Sequence, residues 1–222
     1  QSESKGPQHG VTVCCVTPSL SAFTAIEQGL RCVFYPHGLL RRSLVFPDFE
    51  RVFALNVPEA EHIRSRLPYT NLELVEQNCT NADTHSALAI AGVYSPIREH
   101  EQLKDLIEGA LALGISVFIR THPKDSTNYW ARWQGREGIC FDPDGDFSTF
   151  LGRVRPRILA SWFSTTLLDA LSQGVIPLNI GEIPDDLVFP LRQVALQWPE
   201  DQECVFSYLS NQNEASAYLT AS

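Results

Sequence analysis

Apolar and polar residues along this chain follow two rhythms: short apolar runs, and longer stretches with apolar positions three or four apart. The first kind reads as buried strands and the second as amphipathic helices. Residues 11–17 form a strand in this reading, 19–29 a helix closed by Gly29, and 31–36 a second strand leading into Tyr35-Pro36-His37-Gly38. This is a βαβ unit. Residues 51–55 read as a further strand, 58–67 as a helix with Pro58 in its first turn, and 71–82 as a polar connection, the best candidate for a linker. A second series begins with a strand over 87–94 and a helix over 99–113, whose Leu103, Leu106, Ile107, Ala110 and Leu111 make one apolar face. Strands over 115–120 and 138–141 and a short helix over 146–153 follow, and the tail 200–219 reads as weakly helical and packed back on the sheet.

Between these lies the most informative stretch, 157–180, which reads as strand, hydroxyl-rich turn, helix, glycine stop and strand. Ser161, Ser164, Thr165 and Thr166 stand at the mouth of that helix beside free backbone N–H groups, a setting suited to phosphate. The plain alternative is that Ser164 or Thr165 only caps the helix. Leu167, Leu168 and Leu171 give the helical period, and Gly174 stands where the chain needs left-handed φ. Strands alternating with helices imply an α/β fold, a Rossmann-like doubly wound parallel sheet. The expected division is a flexible end at 1–10, a βαβ segment at 11–70 and a Rossmann-like domain at 83–222.

Composition narrows the partners. The 222 residues carry a net charge of −9 with scattered Lys and Arg, which argues against nucleic acid. Cys14, Cys15, Cys32, Cys79, Cys140 and Cys204 show no metal spacing and read as reduced core thiols. No apolar run is long enough to span a bilayer and no signal peptide opens the chain, so a cytoplasmic setting is expected, with room for association at the inner-membrane periphery. The chain starts at Gln1 and contains no Met, which reads as a piece of a longer protein.

In doubly wound sheets ligands collect beyond the carboxyl ends of the strands. The residues there are His37-Gly38, Ser95 to Arg98, Arg120 to Lys124, and Ser161 to Thr166. Arg120 and Lys124 flank His122, a set that favours phosphate or pyrophosphate, although a strand-end His can also bond a loop carbonyl. His37 is the candidate general base for an acceptor hydroxyl, with Gly38 allowing close approach; the same pair can simply end a strand. The Asp142 to Asp146 segment resembles a calcium loop only superficially, because Arg153 occupies the twelfth position where Glu is required. It reads instead as a turn into a helix, and no metal site is expected. Tyr129, Trp130 and Trp133 can stack on a base or sugar, or pack over a sheet edge. His62, His85 and His100 receive no role.

Together these motifs resemble the nucleotide-binding half of glycosyltransferases of the GT-B type, in the branch of CDP-glycerol glycerophosphotransferases, bacterial sialyltransferases and capsule polymerases. The matching features are His37-Gly38, Tyr94-Ser95-Pro96-Ile97-Arg98, His122-Pro123, and Ser161-x-x-Ser164-Thr165-Thr166 with Asp169 and Gly174-x-x-Pro177. The family's Pro-Thr is Pro96-Ile97 here, and by the resemblance these 222 residues are expected to lack most of an N-terminal acceptor domain. The resemblance implies that 83–222 binds a nucleotide, with Arg98, His122 and residues 164–166 on the donor phosphates and His37 near the acceptor. It implies a metal-independent transferase with no resident cofactor, moving a sugar or polyol phosphate from a nucleotide-sugar or CDP-polyol donor to a surface glycan acceptor in polysaccharide biosynthesis. The layout is also similar to UDP-GlcNAc 2-epimerases, although Leu168-Asp169 stands where they carry Glu-Glu. A third reading is a non-catalytic nucleotide- or partner-binding module.

Overall fold

A computed structural model describes residues 12–36, 38–75, 84–91, 97–122, 129–142, 145–162, 164–211, 215 and 217–218, with 97–100 by backbone alone. The chain divides into two compact units, 1–76 with 184–189 and 77–183 with 190–222.

The first unit runs β1 (Thr12–Cys15), α1 (Leu20–Glu27), β2 (Arg31–Phe34), β3 (Arg51–Ala54), α2 (Val57–Arg66) and β4 (Asn71–Leu74). Its strands are all parallel, in the order β1-β2-β3-β4. Helix α1 stops at Gly29, whose φ of 77° lets the Leu30 N–H reach back to the Ala25 carbonyl at 3.0 Å. Phe34 stacks on Phe49 at 5.3 Å and meets Phe46 edge-on, which fills the core beneath α2. Strand β4 corrects the polar connection expected from 71: Asn71-Leu72-Glu73-Leu74 alternates because it is an edge strand, tied to β3 by an Arg51–Glu73 ion pair at 3.0 Å. The division into 11–70 and 83–222 did not foresee the return of 184–189. Val188 donates its N–H to the Leu40 carbonyl at 2.9 Å, Arg42 donates to the Asp186 carbonyl at 2.6 Å, and the Ser43 hydroxyl donates to the Asp186 carboxylate at 2.8 Å.

Glu59 holds the strand ends of this unit. It has no exposed surface, yet its carboxylate accepts the Leu40 N–H at 3.0 Å and the Leu55 N–H at 3.4 Å. Asn56 caps the same helix by accepting the Glu59 N–H at 3.0 Å. One side chain thus ties the loops after β2 and β3 to the first turn of α2.

The second unit runs β5 (His85–Ala91), α3 (Ile97–Ala112), β6 (Ser116–Arg120), a 3-10 turn (Tyr129–Trp133), β7 (Ile139–Phe141), α4 (Phe147–Val154), β8 (Pro156–Ser161), α5 (Thr165–Ser172), β9 (Ile176–Ile180), α6 (Leu191–Val194), β10 (Leu196–Trp198) and α7 (Gln202–Ser210). All six strands are parallel in the order β10-β9-β8-β5-β6-β7, so the direction of winding reverses between β5 and β8. This is the expected Rossmann-like sheet. Leu103, Leu106, Ile107 and Ala110 of α3 are fully buried on one face, as their spacing predicts. Each buried Leu or Ile contributes about 1.5–3 kcal/mol, more than any difference in helix propensity.

The tail packs back as expected. Arg157 on β8 donates to the Tyr208 and Leu209 carbonyls at 3.1 and 2.6 Å, and the Ser86 hydroxyl donates to Leu209 at 2.8 Å, so the C-terminal carbonyls of α7 meet a buried cation. Helix α6 and strand β10 were not foreseen, being too short for a period to emerge. Tyr129, Trp130 and Trp133 are buried in the core beneath α3, which removes them as stacking platforms for a ligand. Only Cys15 and Cys32 are core thiols among the described cysteines. Cys14, Cys140 and Cys204 are exposed, Cys14 because successive residues of β1 face opposite sides.

Burial pushes the Glu59 carboxyl above its ordinary value of 4.5, and the N–H groups it accepts only partly offset this. The protonated form is therefore favoured on folding, so this contribution is full below the ordinary value and lost as pH rises through the raised one. Glu59→Gln, which cannot ionise, is expected to gain stability relative to wild type between pH 4 and pH 8. Denaturant unfolding across that range measures it, and a constant difference would place the carboxyl outside the linkage. Glu59→Leu leaves two N–H groups orphaned and is expected to cost about 1–3 kcal/mol for each.

Candidate functional site

The carboxyl ends of the second unit's strands lie nearly level. Asn179 of β9 pairs with Ser161 of β8, Ile90 of β5 pairs with Ala160, and Ala91 pairs with Arg120 of β6. Ser161 and Arg120 therefore stand two strands apart across the reversal point, about 10 Å from each other. That reversal is where open α/β sheets leave a crevice for ligands.

The hydroxyl cluster forms the mouth of α5. The Ser164 hydroxyl accepts the Thr166 N–H at 3.3 Å as the helix cap, and the Thr166 hydroxyl donates to the fully buried Ser161 Oγ at 3.1 Å. Thr165 opens the helix, half-buried, one turn before Asp169 on the same face. Burial alone raises the Asp169 carboxyl above its ordinary value. At the far end of α5, Gly174 takes φ of 71° and the Val175 N–H bonds the Ala170 carbonyl at 2.9 Å.

Arg120 is half-buried at the end of β6, where its guanidinium donates to the Gly145 carbonyl and lies 5.8 Å over the Phe150 ring. It braces the loop before α4, whose cap Asp146 accepts the Thr149 N–H at 2.7 Å. The expected helix starts after its cap Asp146, residues 143 and 144 lying outside the described residues, and no group of three His, Cys, Asp or Glu among the described residues can hold a metal ion. His122 follows two residues after β6 and is half-buried. In the first unit Gly38 is exposed, and a Cβ placed on it would meet nothing within 4 Å, so the space before its backbone is open. His37 and Lys124 lie outside the described residues, as does the side chain of Arg98, whose backbone falls in the first turn of α3. The Tyr94-Ser95-Pro96 part of its motif and Cys79 also lie outside them.

One polar residue of this edge escaped the sequence reading. Asn179 is fully buried in β9 and donates to the Gly181 carbonyl at 2.8 Å and to Gln197 Oε1 at 3.2 Å. An Asn inside the apolar run Ile176 to Ile180 was the available signal.

No protein-family model matches the chain, and no curated protein matches its sequence. Solved structures share its fold. S. aureus MnaA in a co-structure with UDP aligns with a TM-score of 0.62 and 11% identity, over 93% of this chain and 68% of that one. Methanocaldococcus jannaschii UDP-GlcNAc 2-epimerase, in complex with UDP-GlcNAc and UDP, gives 0.60 and 11%, over 95% and 75%. Acinetobacter baumannii MurG gives 0.54 and 11%, over 94% and 67%. The chain therefore has an α/β, Rossmann-like fold of the GT-B type, shared with glycosyltransferases and with UDP-GlcNAc 2-epimerases.

Ser164→Ala removes the cap and is expected to cost about 0.5–2 kcal/mol in denaturant unfolding. Thr166→Val, which removes the bond to Ser161, is expected to cost about 1 kcal/mol. A Ser164→Ala protein as stable as wild type would mean that the hydroxyl does not cap α5.

Proposed function

We propose that the chain is the nucleotide-binding part of a metal-independent transferase that moves a sugar or polyol phosphate from a nucleotide-activated donor to a surface glycan. The observation that carries this reading is the hydroxyl-lined mouth of α5 at the reversal point of the sheet, level with the strand end that leads to His122. The donor phosphates lie on the backbone N–H groups and hydroxyls of Ser164, Thr165 and Thr166. Arg98, His122 and Lys124 supply positive charge, and Arg120 adds its field while bracing Gly145. These groups stabilise the leaving phosphate in the role a divalent ion has elsewhere. Ser161 orients Thr166, and Asp169 contacts the donor as a binding residue. His37 takes the proton of the acceptor hydroxyl beside Gly38.

The finer assignment is to the branch of CDP-glycerol glycerophosphotransferases, bacterial sialyltransferases and capsule polymerases, in the cytoplasm at the membrane periphery and without a resident cofactor. Among the described residues no helix is long and apolar enough to cross a membrane. A second reading, an epimerase acting on a UDP-sugar, is favoured by the likeness to the M. jannaschii epimerase. Leu168-Asp169 in place of Glu-Glu counts against it. Incubation with UDP-GlcNAc alone separates the two, since only the second reading gives a 2-epimerised product without acceptor.

CMP, CDP or UDP is expected to raise the melting temperature in the presence of a chelator. His122→Ala is expected to lose about 1.5–3 kcal/mol of binding by calorimetry, and His62→Ala on α2 none. No shift with any of the three at millimolar concentration would remove the donor site.

In the full-length protein with saturating donor, His37→Ala is expected to lower kcat by about 10²–10⁴ and leave donor KM unchanged. Turnover near wild type would rule out the base.

A further inference from the structure

Among the described residues Glu59 is the one buried carboxyl, and no Lys or Arg among them pairs with it. A buried acid without a cation is unfavourable, and an aliphatic side chain would fill the same place without desolvating a charge. What the carboxyl adds lies in its hydrogen bonds. Oε1 accepts the Leu40 N–H and Oε2 the Leu55 N–H, one oxygen for each of the loops that leave the carboxyl ends of β2 and β3. The bond to Leu40, at 3.0 Å, is the better of the two, since 3.4 Å to Leu55 lies beyond the usual range.

Leu40 is held on three sides. Its N–H goes to Glu59, its carbonyl accepts the Val188 N–H at 2.9 Å, and its side chain is buried in the core of the first unit. Two residues earlier Gly38 is exposed, with open space before its backbone. Two residues of chain span at most about 7 Å, so fixing Leu40 restricts where Gly38 can stand. A turn open to solvent on one side and anchored to a buried carboxyl on the other has the rigid support that a precise binding edge needs.

We propose that Glu59 is a positioning residue for the acceptor: by fixing Leu40 it sets the Gly38 backbone beside which the acceptor hydroxyl is placed. This rests on the transferase reading, in which His37-Gly38 serves the acceptor. With no exposed surface, Glu59 touches no substrate itself and acts through Leu40. The donor phosphates are held by other residues, so donor affinity does not depend on it.

Glu59→Gln keeps one acceptor oxygen, enough for Leu40 but not for both loops, and Glu59→Leu keeps none. In the full-length protein, nucleotide release from CDP-glycerol, CMP-sialic acid and UDP-N-acetylglucosamine is followed with glycerol as a simple hydroxyl acceptor. With the donor that wild type turns over, Glu59→Leu is expected to lower kcat about tenfold or more at unchanged donor KM, as a misplacement of about 1 Å does. Glu59→Gln is expected to recover most of that loss. Amide hydrogen exchange on the same proteins reads the cause. The Leu40 N–H is expected to exchange about tenfold or more faster in Glu59→Leu and near the wild-type rate in Glu59→Gln, with the amides of Thr165 and Thr166 unchanged in both. If Glu59→Leu does not fold, Glu59→Asp, whose shorter side chain withdraws the carboxyl from both loops, takes its place. The role is overturned if both substitutions lower kcat equally, or if kcat holds while Leu40 exchanges freely. Wild type that turns over none of the three donors removes the transferase reading and this role with it.

Discussion

A parallel sheet must be covered on both faces, because each strand presents side chains to both and none can be left to water. In the second unit α3 and α7 cover one face and α4 and α5 the other. Strand faces are then fully committed to packing, and β8 is buried at every residue from Pro156 to Ser161. Polar chemistry is confined to strand ends. The same confinement holds in the first unit, where the loops after β2 and β3 converge on Glu59.

Two buried ionisable groups and one half-buried one show how the fold accommodates charge. Arg157 gives its Nη1 to the carbonyl end of α7, while burial lowers its proton affinity. Glu59 accepts backbone N–H groups and remains shifted upward. Asp169 has burial as the sole cause of its upward shift. Structural charges here come with built-in hydrogen bonds, whereas Asp169 stands on the face of α5 it shares with Thr165, next to the helix mouth.

Much of this was legible in the sequence because burial imposes periodicity. Leu103, Leu106, Ile107 and Ala110 announced the inner face of α3, and Gly29 and Gly174 announced the ends of α1 and α5. Ser164 was readable as a cap from its place before an apolar helical run. What failed had physical reasons. Asn71 to Leu74 alternates as an edge strand does, and four residues cannot separate that pattern from a loop. Tyr129, Trp130 and Trp133 lie in a sequence rich in polar neighbours, yet the 3-10 turn points all three rings inward. Glu59 and Asn179 looked like ordinary polar residues, since their partners, Leu40, Leu55 and Gln197, are distant in sequence or are backbone groups. Arg120 was legible as a strand-end cation, while its engagement with Gly145 depends on a contact 25 residues away.

The return of 184–189 to the first unit makes the second unit discontinuous along the chain. A polypeptide cut at 76 and begun again at 77 would carry that segment away from the backbone groups of Leu40 and Arg42 that it bonds. The unit of inheritance and of expression is therefore not the same as the unit of packing. Genetic exchange that swaps one half for a homologous half must also replace six residues embedded in the other, or leave Asp186 facing a loop with which it was never matched.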